Sequence, residues 1–174
     1  MKFTVEQGAL TDGVNWVSRS LSTRPIKTEL LGIVIDATGD EVILSGWSDG
    51  KIRAYRVDNN QQLWQIDNAH KGGVTAIALS HNNKFIVSGG EEGEIRVWEI
   101  RSRELISHLK EHTSRVTKVQ IFADDVHLLS CSRDKSILCW DLKNQKRISN
   151  QTLRMGGINC FSIKPNDNNK YLSV

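Results

Sequence analysis

The sequence has 174 residues, of which 39% are hydrophobic, 25% are charged and only two are proline. This composition excludes a disordered or collagen-like chain, and no apolar run approaches the ~18 residues of a membrane-spanning helix. The net charge of +3 is too small to predict binding to nucleic acid.

The first stretch of the chain, residues 1–29, carries no pattern that assigns it to a structural unit. Residues 12–16 hint at a strand, but Trp16 precedes Tyr55 by 39 residues, which is out of step with the later spacings. This segment is unassigned, and we expect the folded domain to occupy residues 30–174.

From residue 30 onward the sequence is built of repeats. Three serines recur at steps of 43 and 42 residues, each followed ten positions later by an aromatic residue: Ser45 and Tyr55, Ser88 and Trp98, Ser130 and Trp140. A period of this length is typical of the four-stranded blade of a β-propeller. The repeat indicates an all-β scaffold and argues against an active site made by one part of the chain alone.

Alternation of apolar and polar residues predicts four strands in each repeat, with polarity rising toward the last strand. The predicted strands are residues 31–36, 42–46, 52–57 and 62–67, then 74–80, 85–89, 95–100 and 104–110, then 116–122, 126–131, 136–142 and 146–152, and finally 158–163 and 171–174. The blades span about 30–67, 70–110 and 112–152, with a partial blade at 154–174. Such an arc of about three and a half blades cannot close a ring, since propellers have about four to eight blades. We therefore expect the chain to belong to a longer protein or to complete its ring with another chain.

Two repeats contain a histidine, a serine, an acid and a tryptophan at matched positions: His70, Ser88, Glu92 and Trp98, and then His112, Ser130, Asp134 and Trp140. Taken alone, the second set has the residue types of a catalytic triad. Catalysis needs one site in one cleft, however, and recurrence in each blade instead favours a structural hydrogen-bond relay. The first repeat offers only a partial set, Ser45, Asp49 and Tyr55.

These sets resemble the structural tetrad of the WD-repeat (WD40) family, so the fold that the resemblance implies is a WD40 propeller. The repeats also depart from the family pattern. The second has Glu92 where an aspartate is usual, and the fourth has Arg154 near the place of a histidine. We predict no catalytic residue, no cofactor site and no metal site.

The three cysteines, Cys131, Cys139 and Cys160, lack metal-binding spacing and fit a reducing compartment. If Ser130 faced Trp140 across a hairpin, Cys131 would face Cys139 and a disulfide would be conceivable. Two reduced, packed thiols are the favoured interpretation.

Charge is unevenly distributed along the chain. Residues 131–174 hold eight Lys or Arg against three acids, which leaves 15 basic and 17 acidic residues in the remainder. A basic end can steer an acidic partner surface toward the protein. The alternative is that these cations are simply solvated on outer strands and turns.

Segments 45–55, 68–78 and 88–98 resemble the axonemal WD-repeat proteins of cilia and flagella, which have two propellers. The resemblance covers about residues 30–174 and implies a non-enzymatic structural protein in the lumen of doublet microtubules. It implies tubulin and other microtubule inner proteins as partners, and the cytoskeleton of the cilium or flagellum as the location. From the small net charge and the lack of a long apolar run, we predict neither nucleic acid nor a membrane as a partner.

The alternative is a general WD40 adaptor for a protein complex, such as a ubiquitin ligase or a signalling assembly, because propeller loops vary on a stable frame. In either case the candidate partner-binding residues lie in the loops that enter the first strand of a blade: Lys71, Gly73, Ser114 and Arg115.

Overall fold

The computed structural model describes residues 37–38, 42–57, 59–154, 156–163 and 171–173. Every regular element in these ranges is a β-strand, and no helix among them is long and apolar enough to cross a membrane. The strands form three four-stranded antiparallel sheets and one two-stranded sheet, and within each sheet the strands are ordered as they follow one another in the chain. The prediction of an all-β fold built from four-stranded units is confirmed.

The strand bounds follow the repeat. The first sheet contains β1 (Ala37–Thr38), β2 (Val42–Gly46), β3 (Ile52–Arg56) and β4 (Gln62–Ile66). The second contains β5 (Val74–Leu79), β6 (Phe85–Gly90), β7 (Glu94–Glu99) and β8 (Leu105–Lys110). The third contains β9 (Val116–Ile121), β10 (His127–Ser132), β11 (Ser136–Asp141) and β12 (Lys146–Thr152), and the last contains β13 (Phe161–Ile163) and β14 (Tyr171–Ser173).

Most of these strands lie within one or two residues of their predicted positions, but the ends of the domain differ. The strand predicted at 31–36 and the unassigned residues 1–29 fall outside the described residues; the strand that pairs with β2 is β1. The strand predicted to start at residue 158 begins only at Phe161.

The register of the third hairpin also differs from the one considered from the sequence. Ser130 pairs with Leu138 and Cys131 with Ile137, not with Trp140 and Cys139. The cause is the turn at residues 133–135, where Lys135 has a φ of 72° and closes a three-residue loop in the left-handed conformation. Cys131 and Cys139 are therefore not cross-strand partners, and both are free thiols.

The sheets stack face to face, and the apolar core lies between them. The first strands of the second and third sheets, β5 and β9, are neighbours, while β8 and β12 are outer edges. One buried cluster joins the second and third sheets through residues such as Val87, Ile95, Leu128 and Trp140. A second cluster joins the first sheet to the second. A third cluster joins the third sheet to Ile158 and to Phe161 of β13. Stacking of four-stranded sheets through their faces is the packing expected of propeller blades.

Glycine permits the close approach of one blade to the next at two equivalent positions. A Cβ atom on Gly46 would collide with the side chain of Val74, and one on Gly89 would collide with that of Val116. Each valine begins the inner strand of the following blade. The spacing between neighbouring blades is thus set at these two glycines, where the absence of a side chain lets the valine of the next blade approach the backbone.

Candidate functional site

The third blade contains a complete relay of buried polar groups. The indole N–H of Trp140 donates to the hydroxyl of Ser130 at 2.8 Å, and that hydroxyl lies 2.8 Å from Nε2 of His112. Nδ1 of His112 lies 2.9 Å from Oδ2 of Asp134. Because the carboxylate can only accept, Nδ1 carries the proton and Nε2 accepts from Ser130. The structure therefore brings together all four residues of the set predicted for the third blade.

Asp134 is the most strongly held member of this relay. It accepts backbone hydrogen bonds from Thr113 and Ser136, both at 2.9 Å, and the Ser136 hydroxyl donates to it as well. Burial alone would raise the pKa of Asp134, but the hydrogen bonds from Ser136, Thr113 and His112 lower it below its usual value. Burial lowers the pKa of His112, against the raising effect of Asp134.

The second blade contains a relay whose acid lies elsewhere than predicted. Trp98 donates to Ser88 at 2.9 Å, and Nε2 of His70 lies 2.8 Å from the same hydroxyl. Glu92 is exposed and has no hydrogen bond to His70. The acid nearest to Nδ1 of His70 is Glu94, at 4.0 Å. The prediction that placed Glu92 in this relay differs from the structure because the glutamate side chain, one methylene longer than aspartate, points from the turn into solvent.

Glu94 has cationic neighbours of its own. Arg96 binds one of its carboxylate oxygens at 2.9 Å and Lys110 binds the other at 3.2 Å, while Nε2 of His108 lies 3.6 Å away. Nδ1 of His70 is consequently left without a hydrogen-bond partner. Burial and, next, the charge of Arg96 lower the pKa of His70 to about 4, so this imidazole is neutral.

In the first blade, the hydrogen bond to the serine comes from a residue that the sequence interpretation missed. The indole of Trp47 donates to Ser45 at 2.8 Å, and the guanidinium of Arg53 lies 4.8 Å from the centre of the Trp47 rings. Arg53 is in turn paired with Asp49 at 2.5 Å. The two predicted residues Ser45 and Asp49 thus belong to one chain of contacts, in which Trp47 and Arg53 connect them. The third predicted residue, Tyr55, lies half-buried beside these residues.

A signal for Trp47 was present in the register of the repeats. Trp47 stands 43 residues before Gly90, where a Cβ atom would collide with the His70 ring. The second blade keeps a glycine there to make room for its histidine. The first blade places an indole at the equivalent position, and this indole supplies the hydrogen bond to the serine.

The four candidate partner-binding residues have different surroundings. Lys71 is exposed, whereas Gly73 is buried, with a φ of 113° and Ser48 packed against its Cα. The carbonyl of Ser114 accepts a hydrogen bond from the Ser132 hydroxyl at 2.9 Å. Arg115 is half-buried, and its Nε lies 3.4 Å from Glu91 of the preceding blade. Lys71 offers the most accessible side chain of the four.

The relays give no access to a substrate. Ser88 and Ser130 are completely buried, so neither hydroxyl can meet an external carbonyl or phosphate group. A groove of about 490 Å³ lies between the inner strands, lined by both apolar and polar residues such as Ile77, Val119 and Thr117. Within the described ranges, no group of three or more His, Cys, Asp and Glu side chains is placed to hold a metal ion. The arrangement can rigidify blades and present loops.

The family model described as the Vps8 β-propeller matches residues 29–158. The chain belongs to this β-propeller family. Solved structures agree in fold: the WD40 repeats of RRP9 superpose with a TM-score of 0.69 at 22% identity, covering 79% of this chain and 44% of that one. The WD-repeat resemblance and the partial propeller arc are thereby confirmed.

Curated relatives are more similar in sequence. The human protein named cilia- and flagella-associated protein 52 is 40% identical over 107 residues, which is 60% of this chain and 17% of the relative. The Chlamydomonas reinhardtii protein of the same name is 42% identical over 112 residues, 63% of this chain and 18% of the relative. A Caenorhabditis elegans relative named DDB1- and CUL4-associated factor 11 homolog is 30% identical over 115 residues, 63% of this chain and 20% of the relative. The chain spans less than a fifth of the length of the two ciliary relatives.

Proposed function

We propose that this protein is a non-enzymatic WD-repeat scaffold of the ciliary or flagellar axoneme, which binds tubulin in the lumen of doublet microtubules and stabilises them. The observation that carries the proposal is the identity of about 40% to relatives named for cilia and flagella in organisms as distant as human and Chlamydomonas. The buried relays support a scaffold rather than an enzyme, because the histidines and serines that recur at matched spacing, His70, Ser88, His112 and Ser130, are shielded from solvent.

The partner is proposed to be tubulin together with other microtubule inner proteins. Blades present rigid loops on one rim and exposed outer strands, and such surfaces suit protein partners better than small molecules. The basic character of residues 131–174 supports an acidic partner such as tubulin. Of the rim residues, Lys71 is proposed as a contact because its side chain is exposed.

The second candidate function is an adaptor for a protein complex such as a ubiquitin ligase or a signalling assembly. The specific observation in its favour is the relative named for DDB1 and CUL4, which matches a similar share of this chain at lower identity. The two candidates share the propeller and differ in location and partner.

The deciding experiment places the tagged chain in a ciliated cell and extracts isolated axonemes with increasing salt, with the tag alone as control. Retention on the doublets at high salt is the expected result, since surface contacts that rest on charge weaken as screening increases. A diffuse cytoplasmic signal, or release at the first salt step, would overturn the axonemal function. Recovery with cullin-ligase subunits instead would favour the adaptor.

A further inference from the structure

Three exposed cations meet where the β10–β11 turn contacts the loop that leaves β12. We call Arg133, Lys135 and Arg154 the basic rim; all three side chains are exposed. The backbone N–H of Leu153, next to Arg154, donates to the carbonyl of Lys135 at 2.8 Å. Gly157 of the same loop lies against the backbone of Arg133. The turn and the loop are therefore packed together and carry their charges on one surface.

The charges of the basic rim are unpaired within the part of the chain that the structure describes. Among the described residues, none of the three side chains forms an ion pair or a hydrogen bond. Asp134, which lies between Arg133 and Lys135 in sequence, turns inward to His112 and Ser136. Glu111, which precedes the relay histidine, is paired with Arg147 at 2.5 Å. These three cations therefore lack an ion-pair partner among residues 37–38, 42–57, 59–154, 156–163 and 171–173.

This charge is peculiar to one part of the arc. The residues equivalent to Arg133 are Ser48 in the first blade and Glu91 in the second, and the residue equivalent to Lys135 is glycine in both. Arg154 stands 42 residues after His112, at the position of the relay histidine, but it is exposed whereas His112 is buried. The position that buries a relay group in the second and third blades thus supplies a surface cation at the start of the fourth.

We propose that the basic rim binds an acidic, extended segment of a partner protein. Two of the three side chains are arginines, which bind carboxylates through two parallel hydrogen bonds. A long nucleic acid fits less well, because its backbone would continue past the rim onto the neighbouring turn of the second blade, where Glu91 and Glu92 repel it, whereas a short acidic segment can end at the rim. The assignment deepens the scaffold function and rests on it only in requiring a protein partner.

The test measures binding of a fluorescein-labelled oligo-glutamate peptide to the full chain by fluorescence anisotropy at low salt. The triple variant Arg133→Gln, Lys135→Gln, Arg154→Gln is expected to bind at least about tenfold more weakly, since each exposed ion pair contributes modestly and three are lost. The matched control is Lys84→Gln, Arg101→Gln, Lys143→Gln. It removes the same charge from exposed turns on the opposite rim and should bind within about twofold of the unchanged chain.

A double variant tests the effect of the acidic turn beside the basic rim. Replacing Glu91 and Glu92 by Gln should tighten peptide binding by about twofold or more, because repulsion is removed and Arg115 loses its partner Glu91. Equal losses in the two triple variants would overturn the proposal. Equally tight binding of oligothymidylate, with the same dependence on the rim, would overturn the choice of a peptide. Neither result depends on retention in axonemes, so failure of this site and failure of the axonemal function are distinguishable.

Discussion

The hydroxyl of Thr75 in the second blade donates a hydrogen bond of 2.5 Å to the carbonyl oxygen of Val116 in the third blade. The same bond recurs 42 residues later, where Thr117 donates to the carbonyl of Ile158 at 2.6 Å. Each hydroxyl also lies within reach of a carbonyl in its own sheet, so the threonine joins its own β-ladder to the next blade. The junction between blades therefore combines a polar bond at the inner strands with the apolar contacts of the core cluster.

Removing this hydroxyl should weaken the junction. Thr75→Val keeps the side-chain shape but leaves the buried carbonyl of Val116 without its donor, and we expect the free energy of unfolding to fall by about 1–2 kcal/mol. Urea denaturation measures the change. Thr152→Val on the exposed strand β12 is the control and should alter the free energy by no more than about 0.5 kcal/mol. Equal effects of the two changes would contradict the role of the junction.

The two relay acids should differ sharply on replacement. Asp134→Ala removes a carboxylate that binds His112, Thr113 and Ser136, so we expect a loss of about 2–4 kcal/mol in the free energy of unfolding. Glu92→Ala removes an exposed side chain and should change it by less than about 0.5 kcal/mol. Chemical denaturation of both variants checks the comparison. A large loss on replacing Glu92 would restore it to the relay.

Acidification should destabilise the protein through His70. Its pKa is lowered to about 4 in the folded chain, whereas the unfolded imidazole titrates near 6.5. Between these values the unfolded chain binds more protons, so the contribution is fully present above pH 6.5 and declines by up to about 3 kcal/mol as the pH falls to 4.

The measurement is the free energy of unfolding between pH 7 and 4. In a His70→Gln variant the slope should be shallower but not flat, because burial lowers the pKa of His112 as well. The comparison uses the slope, which is independent of any constant loss that the substitution causes. An unchanged slope would show that His70 does not carry the effect.

The three thiols should react at different rates. Cys131 is buried and Cys139 half-buried, and burial raises the pKa of both, so few thiolates form at neutral pH. Cys160 is exposed and should be alkylated first by iodoacetamide, as peptide mass spectrometry can detect. Cys160→Ser should abolish the rapid phase. Rapid labelling of Cys131 in the native chain would contradict its buried position.

The sequence predicts the existence and order of the strands well because alternation and the 42–43-residue period report on the same buried faces. It does not predict the register of the third hairpin, because this depends on the backbone conformation of a single residue, Lys135. The observed register differs from the expected one by two residues, so Trp140 pairs with Leu128 and not with Ser130. Trp140 still reaches Ser130 diagonally, since both side chains lie on one face.

The relays show where letter-by-letter comparison of repeats stops being informative. In the third blade the four expected residues are in contact, because a short aspartate in the turn faces inward. In the second blade a glutamate, Glu92, occupies the equivalent position and points into solvent, so it does not contact the histidine. In the first blade Trp47 donates its hydrogen bond to Ser45 from a position at which the second blade has glycine. Matching residue types between the repeats therefore does not identify it.

The threonine bonds couple the second blade to the third and the third to the fourth, so stability in this arc should behave as a row of nearest-neighbour terms. The third blade has a threonine bond on both sides, and the apolar clusters around Ile86, Val87 and Leu129 join each of the four blades to the next. The inner strands of the second and third blades should accordingly be the last to exchange amide hydrogens, and the outer strands β8 and β12 among the first. Opening would then spread from one interface to the next rather than occur everywhere at once.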